Sequence, residues 1–349
     1  MACQTSVRSL PDGMSSPQRV PPQLQRPSRP EDDGRMRKLK RVSFNNRNIE
    51  IAGNVHFPND FDGSRTYAAI VLATPGSSVK EQIGAIYSAK LAERGFVGLT
   101  FDPSYQGESS GQPRDLEDPA ARVEDIRCAV DYLMTQPFVD EEKVGLLGIC
   151  AGGGYAICAA LTEHRFKAIG TVVANDIGSA FRHMQPKEDL LRKLKDVGKQ
   201  RTLEARGGEP RRDPWIPDSL KEAEATGIKD PELLEAVKFY RESRYRHPNS
   251  TNRLLFSSYA ELLSFDAFNL VPELLTQPLQ VIVGGKRGNT GQYEAGKRLF
   301  ELSPAAEKDL FVVDGAGHYD MYYKPEYVGP AVDRLVSFYM KHLCASGED

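Results

Sequence analysis

The sequence predicts an α/β protein: a mostly parallel sheet flanked by helices, with a helical cap inserted between its sixth and seventh strands. Three observations lead there. Short apolar runs at residues 68–73, 96–101, 144–147, 169–174, 279–283 and 310–313 are each followed by a stretch of helical character, and strands that alternate with helices pair in parallel. Between the fourth and fifth of these runs the rhythm stops for about a hundred residues, filled by helical sequence rich in Arg, Lys and Glu. A glycine-rich turn, from Gly148 to Gly154, joins one run directly to a helix.

Taken in order, residues 1–41 stand apart, with six prolines, many Ser and Gln, and a net charge of +5. Such a segment reads as a disordered tail. Its Arg and Ser content also suits a targeting segment, but the prolines and Glu31-Asp32-Asp33 do not suit an amphipathic presequence. Strand-like alternation begins at Val42, through Phe44 and from Ile49 to Phe57, which predicts an opening hairpin. The first part of the core is then expected over residues 42–176, the cap over 177–277 and the second part of the core over 278–349. Within the cap, residues 231–242 carry apolar positions at helical spacing, and Trp215, the only tryptophan, lies in a Pro-rich connection.

Composition narrows the function. The 45 Lys and Arg against 48 Asp and Glu leave a net charge of −3, without the basic excess of a nucleic-acid binder. Five cysteines with no CxxC pair and no Cys/His cluster exclude a disulfide scaffold and a structural zinc site. No segment approaches the ~20 apolar residues of a membrane span, and the amino terminus lacks the apolar core of a secretory signal. A reducing, cytoplasmic location and no membrane partner are therefore expected. No metal, nucleotide or flavin motif is apparent, so no cofactor is expected.

The strongest chemical signal is Gly148-Ile149-Cys150-Ala151-Gly152-Gly153-Gly154, after a predicted strand and before an apolar helix. It is G-x-S-x-G with Cys in place of Ser. A nucleophile on a sharp strand-to-helix turn needs glycines around it, because a Cβ two residues away would clash. The following helix aims its N–H groups at the site, which favours a thiolate and supplies an oxyanion donor at Ala151. The alternatives are a buried Cys in a Gly-rich turn, or a phosphate loop, which would want Lys-Ser/Thr or dinucleotide glycine spacing. Of six histidines, His318 is the one placed as a base, in Gly315-Ala316-Gly317-His318-Tyr319-Asp320 after the last predicted strand. His164 and His342 read as structural or solvated, and His183 and His247 belong to the cap.

The orienting acid is not where the chain order would put it. After the run at 279–283 stands Gly284-Gly285-Lys286-Arg287-Gly288-Asn289-Thr290, with no carboxylate. Asp176, at the end of the preceding strand, is the favoured acid; Asn289 and Asp266 are the alternatives. The second half of the oxyanion hole is expected from the backbone N–H of Ser77 or Ser78, after the run at 68–73. Asp102 reads as a buttress for loops, and Tyr105 as a pocket-lining residue.

Together, Val79-Lys80-Glu81-Gln82, Ser104-Tyr105-Gln106-Gly107-Glu108-Ser109, the Cys150 turn and the His318 loop resemble the α/β-hydrolase superfamily. The resemblance is closest to its dienelactone-hydrolase-like group, which includes fungal polyketide transferases and thiohydrolases. It covers residues 42–343 and implies the α/β-hydrolase fold, with Cys150 as acyl-accepting nucleophile, His318 as its base and Ala151 in the oxyanion hole. The expected function is acyl transfer of secondary metabolism. A Cys-bound acyl group is released from a carrier to water or an alcohol, or closed into a lactone. The expected partner, beyond the small acyl substrate, is the acyl-carrier domain of a polyketide synthase. Two rival readings are a lactone or ester hydrolase or peptidase of the same fold, and a non-catalytic binder.

Overall fold

A computed structural model describes residues 38–344. The tail read over 1–41 lies outside the described residues up to position 37. Its last residues do not, because the first strand, β1 (Leu39–Asn46), opens three residues before the predicted start. β1 pairs antiparallel with β2 (Ile49–His56), through Asn46↔Ile49 at the tight end of the hairpin.

The core is an eight-stranded sheet. It continues with β3 (Tyr67–Ala73), β4 (Val97–Phe101), β5 (Val139–Ile149) and β6 (Phe166–Val172). The ribbon strands β7 (Arg212–Pro214) and β8 (Arg253–Leu255) form a separate two-stranded sheet. β9 (Leu279–Gly284) and β10 (Lys308–Val313) complete the main one, in the order β1-β2-β4-β3-β5-β6-β9-β10. Within this main sheet only the β1–β2 and β2–β4 pairs are antiparallel; the β7–β8 pair of the small sheet is antiparallel as well. The middle strands are covered on both faces, which explains why β3 and β9 read as unbroken apolar runs: every residue of each is buried.

Helices fill the crossovers. α1 (Ile83–Ala92) joins β3 to β4, α2 (Pro119–Met134) joins β4 to β5, and α3 (Ala151–Ala160) joins β5 to β6. α2 starts where Asp118 accepts hydrogen bonds from the N–H groups of Ala120 and Ala121, with Pro119 in the first turn. Between β6 and β9 lie α4 (Ile177–His183), α5 (Lys187–Ala205), α6 (Leu220–Ala225), α7 (Pro231–Val237), α8 (Ser258–Ser264) and α9 (Val271–Leu274). After β9 come α10 (Gln292–Leu302), α11 (Asp320–Tyr323) and α12 (Pro325–Tyr339). No helix among the described residues is long and apolar enough to cross a membrane.

A buried ion cluster fixes the loops after β3 and β4. Lys80, 1% exposed, places its Nζ 2.8 Å from Asp102 Oδ2, 2.7 Å from Glu108 and 2.8 Å from Glu81. Asp102 also accepts hydrogen bonds from the backbone N–H groups of Lys80 and Glu108, both at 2.8 Å. Its carboxylate is thereby fully engaged, and it holds two loops at the carboxyl ends of neighbouring strands.

Candidate active site

Cys150 stands between β5 and α3 with φ +55°, a left-handed conformation that a non-glycine residue adopts only where its surroundings enforce it. Here they do, because α3 lies too close to the sheet for side chains. A Cβ at Gly152 would sit 2.3 Å from the carbonyl oxygen of Ala73, and one at Gly154 2.5 Å from that of Asn175. The glycines after Cys150 thus set how closely the elbow approaches the ends of β3 and β6.

Cys150, Ala151 and His318 line one cavity of about 280 Å³, walled by Gly76, Phe181, Trp215 and Tyr322, with Ile177 and Leu233 from the cap helices. It adjoins a wider chamber of about 650 Å³ lined by Asp176, His183, Asn289, Glu294 and Arg298, and Asn175, Ala180, Met184, Asp230 and Thr290 border both. The inner cavity is mostly apolar and aromatic, with the carboxylates of Asp230 and Glu232 among its lining; the outer one carries more charged side chains.

Burial pushes the Cys150 thiol up to about 11, against the opposing pull of hydrogen bonding with Tyr322, the N–H of Ala151 and the Arg122 guanidinium. His318 is fully buried, and burial pushes its imidazole down to about 3. Both shifts favour the neutral forms, so the resting pair is thiol and imidazole rather than thiolate and imidazolium. A raised thiol pKa means the thiolate appears only as pH climbs toward that value. Alkylation of the free protein by iodoacetamide at Cys150 is therefore expected to rise steadily between about pH 7 and 10 with no plateau. A rate already flat from about pH 6 contradicts a neutral resting pair.

The acid predicted for the triad does not reach the base. Asp176 caps α4, its Oδ1 accepting from Ser179 N at 3.2 Å, while Oδ2 faces Arg298 at 4.0 Å in the outer chamber. Asp266 accepts from Phe268 N at 3.1 Å, and Asn289 lines the outer chamber. None is bonded to His318, whose Nδ1 has no hydrogen-bond partner among the described residues. The turn that would carry an acid after β9 serves the cap instead. Glu232 of α7 accepts from Thr290 N at 2.7 Å and Thr290 Oγ1 at 3.1 Å, and a Cβ at Gly288 would fall 2.1 Å from that carboxylate.

Of the two N–H groups expected to complete the oxyanion hole, that of Ser78 is engaged within the β3 loop itself. Ser78 N–H is turned back onto the Pro75 carbonyl at 3.3 Å, and Ser77, at φ +63°, is fixed from the cap by Ser250 on its carbonyl (2.7 Å) and Asn252 on its hydroxyl (2.9 Å). Neither serine lines the Cys150 cavity; the residue of this loop that does is Gly76. Tyr105 is likewise absent from its walls. Its backbone, at φ +70°, bonds Ser110 and Asp115, and its ring packs against Gly111 in the loop after β4.

Three features escaped the sequence reading. Tyr322 lies four residues after His318, one helical turn on, and its hydroxyl is 3.2 Å from His318 Nε2. That spacing was the available signal. Arg122 reaches the β3 loop from α2, donating to the carbonyls of Thr74 (2.7 Å) and Pro75 (3.2 Å). Its own charge is met by buried Glu117 at 3.3 Å, which also accepts from Tyr155 at 2.7 Å. Trp215 covers Gly76, where a Cβ would come within 2.5 Å of the indole. No local pattern signals the last two.

A parallel sheet with a nucleophile elbow after β5 and a histidine loop after β10 defines an α/β hydrolase. Residues 70–330 match the alpha/beta hydrolase family, and the chain belongs to it. It is similar to the uncharacterized protein YcjY of Escherichia coli K12, 38% identical over 310 residues, covering 87% of this chain and 99% of that one. The crystal structure of the hypothetical protein PA2218 from Pseudomonas aeruginosa aligns with a TM-score of 0.77 and 31% identity, covering 87% of this chain and 94% of that one. A more distant relative is thiohydrolase aneE of Aspergillus aculeatus, 27% identical over 228 residues, 64% of this chain and 70% of its counterpart.

Proposed function

We propose that this α/β hydrolase is an acyl-transfer enzyme working through an acyl group on Cys150. The observation that carries the reading is the thiol on a strained elbow at the amino end of α3, in one mostly apolar cavity with a buried histidine. Sγ attacks an acyl carbonyl, the oxyanion forms against the N–H groups of Ala151 and Gly76, and His318 takes the proton and returns it to the leaving group. Water or an alcohol then releases the acyl group, by hydrolysis, transfer or, within one molecule, lactone closure.

A thiol nucleophile suits a thioester donor, because the attacking and leaving sulfurs are nearly balanced. The relative named a thiohydrolase supports this choice, and the resemblance to fungal polyketide transferases supports a polyketide acyl group delivered by a carrier domain. The division between a mostly apolar inner cavity and a more charged outer chamber fits an apolar acyl chain inside and a polar donor or acceptor outside. The test is a matched panel of acyl thioesters and oxoesters of increasing chain length. Thioester kcat/KM is expected to exceed that of the matched oxoester. Equal or reversed preference favours the ester or lactone hydrolase reading.

Trp215 should set the acyl size. With the indole removed in Trp215→Ala, the wall over Gly76 opens, and branched or aromatic acyl groups should gain about tenfold in kcat/KM relative to short ones. Competition between two thioesters in one reaction measures the ratio directly; an unchanged ratio places the acyl group elsewhere.

A further inference from the structure

Cys150 and His318 share a cavity, yet no hydrogen bond joins them among the described residues. Tyr322 lines the same cavity. Its hydroxyl is 3.2 Å from His318 Nε2, and hydrogen bonding by Tyr322 pulls the buried Cys150 thiol back down. Tyr322 is fully enclosed and held on several sides: the Phe239 ring stands at 5.2 Å and 90° to its own, Tyr319 at 4.8 Å, Tyr240 at 6.4 Å, and the His318 ring at 5.3 Å. A ring packed this closely is not a gate that swings clear for a direct Cys–His contact.

Building on the acyl-enzyme reading above, we propose that Tyr322 is a catalytic residue that relays the proton between Cys150 and His318. In the resting site Cys150 S–H donates to the Tyr322 oxygen and Tyr322 O–H donates to Nε2, which leaves the ring proton on Nδ1. As the S–C bond to the acyl carbon forms, the thiol proton passes to the Tyr322 oxygen and the phenol proton passes to Nε2. The carbonyl π pair moves onto oxygen. On collapse that pair restores the carbonyl, the bond to the donor sulfur breaks with its electrons, and the imidazolium returns one proton to that sulfur through the same hydroxyl. Tyrosine and histidine end as they began. Deacylation runs the relay again with water or alcohol as proton donor and Cys150 as leaving group.

The arrangement also accounts for a base with no orienting acid. The ring of His318 is fixed by its contacts with Tyr319 and Tyr322 and by the turn that Asp320 closes, Oδ2 accepting from Gly317 N at 2.7 Å. The orientation that a carboxylate supplies in a triad is supplied here by packing and by the Tyr322 hydroxyl.

The test is rapid-quench acylation by a butyryl thioester of N-acetylcysteamine, read by intact mass. It compares wild type, Tyr322→Phe, His318→Ala, the double variant and Cys150→Ala. Tyr322→Phe keeps the ring and removes the relay, so acylation should slow about 100-fold or more. Two residues of one relay are not additive, so the double variant should be no more than about threefold slower than His318→Ala alone. A Tyr322→Phe rate within about threefold of wild type, or a double-variant loss equal to the product of the single losses, overturns the relay while leaving the Cys150 reading intact. Wild-type protein that forms no adduct at Cys150 removes both. Because a variant can fail to fold, the wild-type rate is also measured in mixtures of light and heavy water. A bowed dependence shows two protons in flight and supports the relay; a linear one shows a single proton and overturns it.

Discussion

Cys150→Ala lowers turnover of an acyl thioester by about 10⁴-fold or more, the loss expected when a covalent nucleophile is removed and only binding and oxyanion contacts remain. The reason is positional. Cys150 is the residue held at φ +55° where β5 turns into α3, and it lines one cavity with Ala151, His318 and Tyr322. The other cysteines described, Cys128, Cys158 and Cys344, line neither the inner cavity nor the outer chamber, so none can substitute. Steady-state kinetics on a thioester measures the loss, with circular dichroism to show that the variant is folded. Activity retained within about tenfold means that the chemistry does not pass through this thiol.

Lys80→Met carries the largest expected effect on stability. The methionine fills much of the same space but leaves Asp102, wholly buried, without its cation. Breaking a buried pair on one side costs about 3–5 kcal/mol, whereas replacing both members by apolar residues is often neutral. Lys80→Met should therefore lower the melting temperature by roughly 10 °C, and Lys80→Met combined with Asp102→Leu should recover part of it. The recovery is incomplete because Asp102 also accepts from two backbone N–H groups, which the leucine leaves unpaired. Calorimetry on the two variants decides; a single variant as stable as wild type shows that Asp102 is satisfied without the lysine.

Much of the fold is written in local pattern. The apolar runs at 68–73 and 279–283 lie within β3 and β9, strands with no solvent face, and the glycines around Cys150 announce an elbow because only they fit against the ends of β3 and β6. Cys150 and His318 each stand in a glycine-marked turn: Gly152 and Gly154 leave no room for a Cβ, and Gly315 takes a φ of +72°. The partners of these two residues are not legible in this way. Whether Asp176, Asp266 or Asn289 meets the histidine depends on how separate strand ends and the cap come together, and no spacing in the chain encodes that distance. Ser77 and Ser78 show the limit at finer scale. The loop after β3 is identifiable, but how its Ser77 is held is decided by Asn252 and Ser250, more than 170 residues away in the chain. Tyr322 is an intermediate case. Its i+4 spacing from His318 is visible, but its meaning rests on the packing of Phe239 and Tyr240 from the cap.

The central claim is that an acyl group rests on Cys150 during turnover. Wild-type protein is mixed with an acyl thioester, quenched in acid within the first turnover, and analysed by intact mass and then by peptide mapping. The account predicts a mass increase equal to one acyl group, on the peptide containing Cys150, which disappears as product forms. Substrate consumed through repeated turnovers with no adduct at any quench time, or an adduct on another residue, contradicts it.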